Sequence, residues 1–152
     1  MSLVIATPER IVADCFFSTE GGPRKPFRKL AKVSSERGTV LYGFEGYAGC
    51  GELMTRMLEQ LLDQHGVDFV ARLKDEWINL IRPYASEAME SSEGVVIFRP
   101  TGSTKSVMLL VDGKGLVITL ADMDFFSIGY TPATAFVTGY MFGKKKSSPC
   151  SA

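Results

Sequence analysis

The sequence contains a single histidine, His65, and three cysteines, Cys15, Cys50 and Cys150. One histidine excludes a zinc site built on several histidine ligands, and a catalytic triad would have to depend on His65 alone. Three cysteines are odd in number and widely spaced, so they do not form a disulfide framework and are typical of a reducing compartment. We therefore expect a cytoplasmic protein that uses no metal and no other cofactor.

Long apolar runs and net charge are also missing. No stretch is apolar for long enough to span a bilayer, and the first residues, MSLVIATPER, lack the pattern of a secretion signal. Lys and Arg together number 17, as do Asp and Glu, so the formal net charge of +0 gives no argument for nucleic acid or membrane binding. The 152 residues, 45% of them hydrophobic, suffice for one globular domain, which we place at 1–143 with a tail at 144–152.

The stretch from 31 to 62 organises the rest of the chain. Residues 39–44 (TVLYGF) are β-branched and aromatic, which predicts a buried strand. Gly43, Gly46, Gly49 and Gly51 then allow sharp bends, and from Glu52 apolar residues recur at the spacing of an amphipathic helix. A strand that feeds a glycine-lined helix start presents free backbone N–H groups. That arrangement suits an oxyanion or a substrate carbonyl, and it is equally a common packing solution.

The remaining elements occur in blocks rather than in strict alternation. Apolar runs and turn residues predict, in chain order, strands at 3–6, 11–17 and 27–33, a helix at 67–81 that ends near Pro83, strands at 95–99, 106–111, 116–120 and 125–128, and a helix at 131–142. Such blocks indicate an α+β protein in which antiparallel sheets are covered by helices.

Two groups of polar residues have more than one interpretation. Asp14 lies within an apolar strand, so it must either face solvent or be buried with hydrogen-bonding partners. The basic residues between Arg24 and Lys32 are typical of a solvated face. Alternatively, together with lysines 144–146, they form an interaction module for an anionic partner, whose binding would weaken with salt.

Five short segments carry a resemblance to a known family. LVIA, IVADC, RKLAKV and GTVLYGFEGYAG, followed by a Leu- and Met-rich helix, resemble the start of proteasome-family peptidases, above all the bacterial peptidase HslV and its small phage-encoded relatives. The later FFSIGYTPATAFVTG resembles the family's strand, glycine turn and helix near the active site. The resemblance implies an αββα sandwich of the N-terminal nucleophile (Ntn) hydrolase type, C-terminally truncated here, that assembles into homo-oligomeric rings.

The resemblance also implies a catalytic set. Ser2 would be the nucleophile once the initiator methionine is removed, and its free α-amine would act as general base. Lys32 matches the family lysine, which lowers the proton affinity of that amine, and is preferred to Lys29 because its distance to the GFEG turn fits. Asp14 would hold the lysine, and the N–H of Gly46 would stabilise the oxyanion.

Two functions are compatible with these residues. The first is a peptidase that acts on peptide substrates, with an unfoldase as a candidate partner. The second is a catalytically inactive structural or ring-forming protein of the same fold, such as a phage assembly or virion component. Tyr130, where the family has a serine, favours the second, whereas the presence of Asp14, Lys32 and the glycine turn favours the first. Exposed sheet edges predict a homo-oligomer in either case.

Overall fold

Two antiparallel sheets and a helical layer make up the described part of the chain. The computed structural model describes residues 3–13, 16–17, 25–26, 29–65, 68–120 and 123–129. Its elements, in chain order, are β1 (Leu3–Ala6), β2 (Ile11–Ala13), β3 (Phe16–Phe17), β4 (Lys25–Pro26), β5 (Leu30–Ser35), β6 (Gly38–Glu45), α1 (Ala48–His65), α2 (Phe69–Ile81), α3 (Glu87–Glu90), β7 (Glu93–Pro100), β8 (Val107–Asp112), β9 (Val117–Thr119) and β10 (Phe126–Gly129).

The strands form a small sheet in the order β10-β1-β2, a large sheet in the order β5-β6-β7-β8-β9, and a short β3-β4 pair. Every pairing is antiparallel. The β1–β2 hairpin closes at Thr7, whose hydroxyl accepts a hydrogen bond from the Arg10 N–H at 3.1 Å. The predicted hairpin is therefore confirmed, with a second strand that is described as far as Ala13.

Strand β6 lies inside the large sheet and supplies side chains to two cores, one on each face. Val40, Tyr42 and Phe44 point toward the helices and belong to the larger apolar core. Leu41 lies on the opposite face, where the two sheets pack against each other around Val4. Because side chains alternate along a strand, a strand between two layers is apolar on both faces, as the TVLYGF run predicted.

Helices α1 and α2 cover the outer face of the large sheet. Their buried residues recur at helical spacing, for example Phe69, Leu73 and Trp77 on α2. The Trp77 indole N–H donates to the Asp112 carbonyl at 2.8 Å, which ties α2 to the end of β8. After Ile81 the chain continues through a single 3-10 turn that contains Pro83, because proline is tolerated at the start of a helical turn but does not continue an α-helix.

The glycine turn before α1 is shorter than predicted. Helix α1 begins at Ala48 rather than near Glu52, so Gly49 and Gly51 lie within its first turns. Of the four glycines in this stretch, Gly46 alone has a positive φ, of 129°. A Cβ on Gly51 would overlap the ring of Phe44, so this glycine allows close approach of the helix to the sheet rather than a bend.

The layered α+β architecture is confirmed for the described residues, which provide a helical layer and two sheets. The helix predicted at 131–142 and the tail at 144–152 lie outside these residues, and so do Ser2 and Asp14. Among the helices that the structure describes, none is long and apolar enough to cross a membrane.

Candidate functional site

The turn between β6 and α1 places a backbone N–H at the end of the large sheet. Gly46 holds this turn with its positive φ of 129°, a conformation that side-chain-bearing residues rarely adopt. A Cβ at this position would also lie 2.8 Å from the Cα of Ser92, so both backbone geometry and space require glycine. Within the part of the chain that the structure describes, the Gly46 N–H donates to no acceptor. Gly46 itself is exposed to solvent.

Ser92 supports this turn from the neighbouring strand connection. Its side chain is 1% exposed, and its hydroxyl donates to the Ala88 carbonyl at 2.9 Å. The same oxygen accepts the Tyr47 N–H at 3.4 Å. The backbone carbonyl of Ser92 accepts a hydrogen bond from the Gly113 N–H at 2.9 Å. These three hydrogen bonds hold Ser92 in place, and the one from the Tyr47 N–H ties the residue that follows Gly46 to it.

The first strand of the chain crosses the large sheet close to this turn. The Cγ1 of Val4 would lie 2.8 Å from a Cβ on Gly43, so the absence of a side chain there lets the two sheets approach. Leu3 pairs with Gly129, which also has a positive φ, of 120°. Val4 pairs with Ala13. The start of β1, the end of β2 and the end of β10 therefore lie side by side at one end of the small sheet.

Two lysines differ sharply in their surroundings. Lys29 is 4% exposed, and its carbonyl accepts the Phe44 N–H at 3.1 Å, two residues before Gly46. Lys32 pairs with Leu41, farther along β6, and its side chain is exposed on the edge strand. The structure thus brings Lys29 rather than Lys32 to the glycine turn. Sequence spacing favoured Lys32, but strand register places it farther from the turn.

A row of carboxylates lies across the same end of the large sheet. Glu45 pairs with Glu93, and Glu93 pairs with Asp112. Burial raises the pKa of Glu93, and the two flanking carboxylates raise it further. Burial also raises the pKa of Glu45, whereas the nearby Lys29 ammonium lowers it. Like charges directly opposite one another are destabilising, so this row costs stability at neutral pH.

The residues predicted from sequence fall into three groups. Gly46 lies in the turn between β6 and α1 with a positive φ, and Lys32 lies away from this turn. Ser2 and Asp14 lie outside the described residues, but each is bonded directly to a strand end that the structure shows. Ser2 precedes Leu3, and Asp14 follows the last residue of β2.

Two residues of this region were not singled out from sequence. Ser92 lies between α3 and β7, and nothing in its local sequence distinguishes it from other loop serines. Gly129 stands within the FFSIG segment that carried the resemblance, so a glycine directly after an apolar strand was the available signal. Among the described residues, no group of three His, Cys, Asp or Glu side chains could hold a metal ion.

The fold and this arrangement define a class of protein. Two face-to-face antiparallel sheets, a helical layer beyond the large sheet and a glycine turn beside the start of the first strand are the proteasome-type, HslV-like Ntn-hydrolase fold. The resemblance noted in the sequence is thereby confirmed at the level of the fold.

Solved structures of two kinds share this fold. The Anbu (Gly-1) mutant from Hyphomicrobium sp. strain MC1 is 16% identical with a TM-score of 0.63, and the match covers 85% of this chain and 61% of that chain. Eukaryotic HslV from Trypanosoma brucei is 17% identical with a TM-score of 0.60, covering 91% of this chain and 78% of that one. The chain thus spans about three fifths of the Anbu length. No protein-family model and no curated protein matches the sequence.

Proposed function

We propose that this chain is an HslV-like peptidase that cleaves peptide bonds through the hydroxyl of an N-terminal Ser2. The observation that supports this most is the convergence, at one end of the two sheets, of the start of β1, the glycine turn at Gly46 and the buried Lys29. Ser2 directly precedes β1 in the sequence. An oxyanion donor and a cation beside an N-terminal hydroxyl are the groups that this chemistry requires.

The proposed reaction forms and breaks an ester on Ser2. Its α-amine takes the hydroxyl proton as the oxygen attacks the substrate carbonyl, and the Gly46 N–H stabilises the negative charge of the tetrahedral intermediate. The proton passes to the leaving amine as the peptide bond breaks. Water then attacks the ester, the amine again accepting a proton, and releases the acid with the serine hydroxyl restored.

We propose Lys29 for the role that the sequence resemblance gave to Lys32. A buried ammonium interacts more strongly with a neighbouring amine than an exposed one, because less water screens it. Like charge lowers the proton affinity of the amine and leaves it free to act as base. Asp14 keeps its proposed role of holding the lysine. In the sequence Asp14 follows Ala13, whose strand partner is Val4.

The alternative is a non-catalytic, ring-forming protein of the same fold, such as a phage or virion component. One observation favours it. Burial raises the pKa of Glu45, and the Lys29 ammonium, which lies close to this carboxyl group, partly offsets that rise. A carboxylate in that position offsets the positive charge that would otherwise act on the amine of Ser2. A buried lysine with acidic neighbours is also a stable structural arrangement without any catalysis.

A covalent probe distinguishes the two functions. The intact mass of the purified protein is measured before and after incubation with an electrophilic peptide that reacts with N-terminal serine or threonine. The peptidase predicts loss of the initiator methionine and a single adduct that is absent in Ser2→Ala. Retention of the methionine together with no adduct would exclude the N-terminal nucleophile and support the structural protein.

The two lysines provide a matched pair for the same assay. Lys29→Met should slow adduct formation at least tenfold, because the amine becomes more basic and is protonated at neutral pH. Lys32→Met removes the same charge three residues away and should leave the labelling rate within twofold of the parent protein. Equal rates in the two variants would contradict the assignment of Lys29. Denaturation midpoints of both variants show whether a slow rate reflects loss of the fold.

We also propose that the chain forms a homo-oligomer and resides in the cytoplasm. The fold is shared with a structure described as the helical assembly of the Anbu complex from Pseudomonas aeruginosa, 14% identical with a TM-score of 0.56 over 85% of this chain and 61% of that one. Three cysteines with no disulfide framework fit a reducing compartment.

A further inference from the structure

Strand β9 ends the large sheet and has an open edge. In the sheet order β5-β6-β7-β8-β9, β9 pairs with β8, and no other strand in the described ranges lies on its far side. The Leu120 N–H donates to the Met108 carbonyl at 2.8 Å, and the Asp112 N–H donates to the Leu116 carbonyl at 3.1 Å. Residues 116, 118 and 120 therefore point their backbone groups toward β8.

The two residues that lie between these positions point their backbone N–H and C=O groups away from β8. Hydrogen-bonding direction alternates along an antiparallel strand, so Val117 and Thr119 direct two N–H and two C=O groups outward. Unpaired backbone groups on a sheet edge form a template for another strand. This edge can donate two hydrogen bonds to a partner and accept two from it, without any change in the pairing with β8.

Exposed apolar side chains surround this edge. Leu116 is 50% exposed and Ile118 is 41% exposed, both on one face of β9. Ile78 of α2 is 42% exposed and packs on the turn before β9, since its Cγ1 would lie 2.6 Å from a Cβ on Gly115. Leu116 and Ile118 lie on the face of the sheet that carries Leu110, whereas Ile78 lies on the helix-covered face. The open edge and the apolar side chains that flank it on both faces are called the β9 edge surface.

The β9 strand is short, at three residues, but its edge lacks the charged residues and prolines that protect many open strands. Residues 116–120 (LVITL) contain no charge and no proline, and they are β-branched or leucine throughout. The opposite edge of the same sheet, β5, carries the exposed Lys32, a common device against strand pairing. One edge of the sheet is thus protected by charge, whereas the other combines high β-propensity with exposed apolar area.

We propose that the β9 edge surface pairs with the same surface of a second copy of this chain, across a two-fold axis at Ile118. In that register Val117 lies opposite Thr119 of the second copy and Thr119 opposite its Val117, so all four outward groups of each copy are used. Ile118 then contacts Ile118 of the second copy at a non-hydrogen-bonded position, where side chains are closest. An uncharged edge is compatible with itself, whereas pairing with β5 would place Lys32 against apolar residues with no counter-charge.

The contact joins the two large sheets into one continuous sheet. It is isologous, with the same patch on both copies. It requires neither the reactivity of Ser2 nor the role of Lys29, so it holds for a peptidase and for a structural protein alike.

Sedimentation velocity of the full chain over a wide concentration range tests the contact. Ile118→Lys should halve the mass of the assembly, because a charged side chain at the two-fold axis faces its own copy. Val12→Lys is the matched control, since Val12 is also apolar, is 59% exposed and lies on an edge strand, β2. It should leave the assembly mass unchanged.

Hydrogen exchange of the unmodified protein provides a second readout that does not depend on a variant. The amides of Val117 and Thr119 should exchange slowly in the assembly and at least tenfold faster after dilution to the monomer. Three results would each overturn the proposal: a monomeric wild type at every concentration, an Ile118→Lys variant that is folded and has the wild-type assembly mass, or rapid exchange of both amides in the assembly.

Discussion

Two glycines in the first turns of α1 should respond to alanine with opposite signs. A Cβ on Gly51 would overlap three ring atoms of Phe44, whereas a Cβ on Gly49 would meet nothing within 4 Å. The Phe44 ring cannot move aside freely. It is 5% exposed and stacks on Tyr42, with ring centroids 6.1 Å apart and an interplanar angle of 17°. The same substitution in one helix therefore tests packing against helix propensity.

The magnitudes follow from these contacts. Overpacking a core typically costs about 1–3 kcal/mol, and overlap with three ring atoms places Gly51→Ala in the upper half of that range. Replacing a helical glycine by alanine contributes up to about 1 kcal/mol of stability. We expect Gly51→Ala to lower the free energy of unfolding by about 1–2 kcal/mol. Gly49→Ala should raise it by about 0.5 kcal/mol, because an exposed helical position gains propensity without a clash.

Urea denaturation followed by tryptophan fluorescence measures both variants. Trp77 is the single tryptophan and is fully buried in the larger core, so its emission reports the unfolding of this region. Denaturation midpoints should fall below that of the parent protein for Gly51→Ala and rise above it for Gly49→Ala. If Gly51→Ala were as stable as Gly49→Ala, the close approach of α1 to the sheet would be refuted.

Three further predictions concern the end of the sheets. Gly46→Ala should abolish probe labelling, because a side chain at this position disfavours the positive φ and overlaps Ser92. Intact mass measures the adduct. Normal labelling of this variant would contradict the proposed role of the turn. Trp77→Phe should lower the free energy of unfolding by about 1–3 kcal/mol by leaving the Asp112 carbonyl without its donor, measured by circular dichroism in urea. The raised pKa of Glu93 means that the folded state binds its proton more tightly than the unfolded chain, so stability should fall as pH rises from the ordinary glutamate pKa through the raised one. Glu93→Gln should make that decline smaller in a series of urea titrations, with the part that remains due to the raised pKa of Glu45.

The strand–turn–helix centre and the block order of elements were predictable from sequence. Strand β6 has an apolar core on each face. A strand buried on both faces needs an unbroken run of apolar residues rather than alternating apolar and polar ones, and residues 39–44 form such a run. The hairpin at Thr7 and the β8–β9 turn at Asp112 follow from local turn chemistry, which acts over a few residues. These features depend on neighbours in the chain, so local composition was enough to predict them.

The site was less predictable because it is built from distant segments. Lys29 and Lys32 are equivalent in local sequence, and the spacing to the glycine turn favoured the lysine that proved exposed. The register of β5 against β6 decides which lysine meets the turn. Similarly, Gly49 and Gly51 predicted a bend, but the position of Phe44 across the sheet explains why Gly51 is a glycine within a helix. In both cases the deciding partner lies on another element.

By itself, the sequence determined the order of strands and helices, the apolar faces that they bury and the glycine turn at Gly46. These depend on backbone preference and on hydrophobic periodicity, which act along the chain. Tertiary structure alone decided that Lys29 is buried, that Ser92 supports the Gly46 turn, that Glu45, Glu93 and Asp112 form one row and that β9 is the last strand of the large sheet among the described residues. Each of these depends on strand register or on sheet order. Register and order are set by the packing of the whole domain, because every strand must place its apolar face in a shared core.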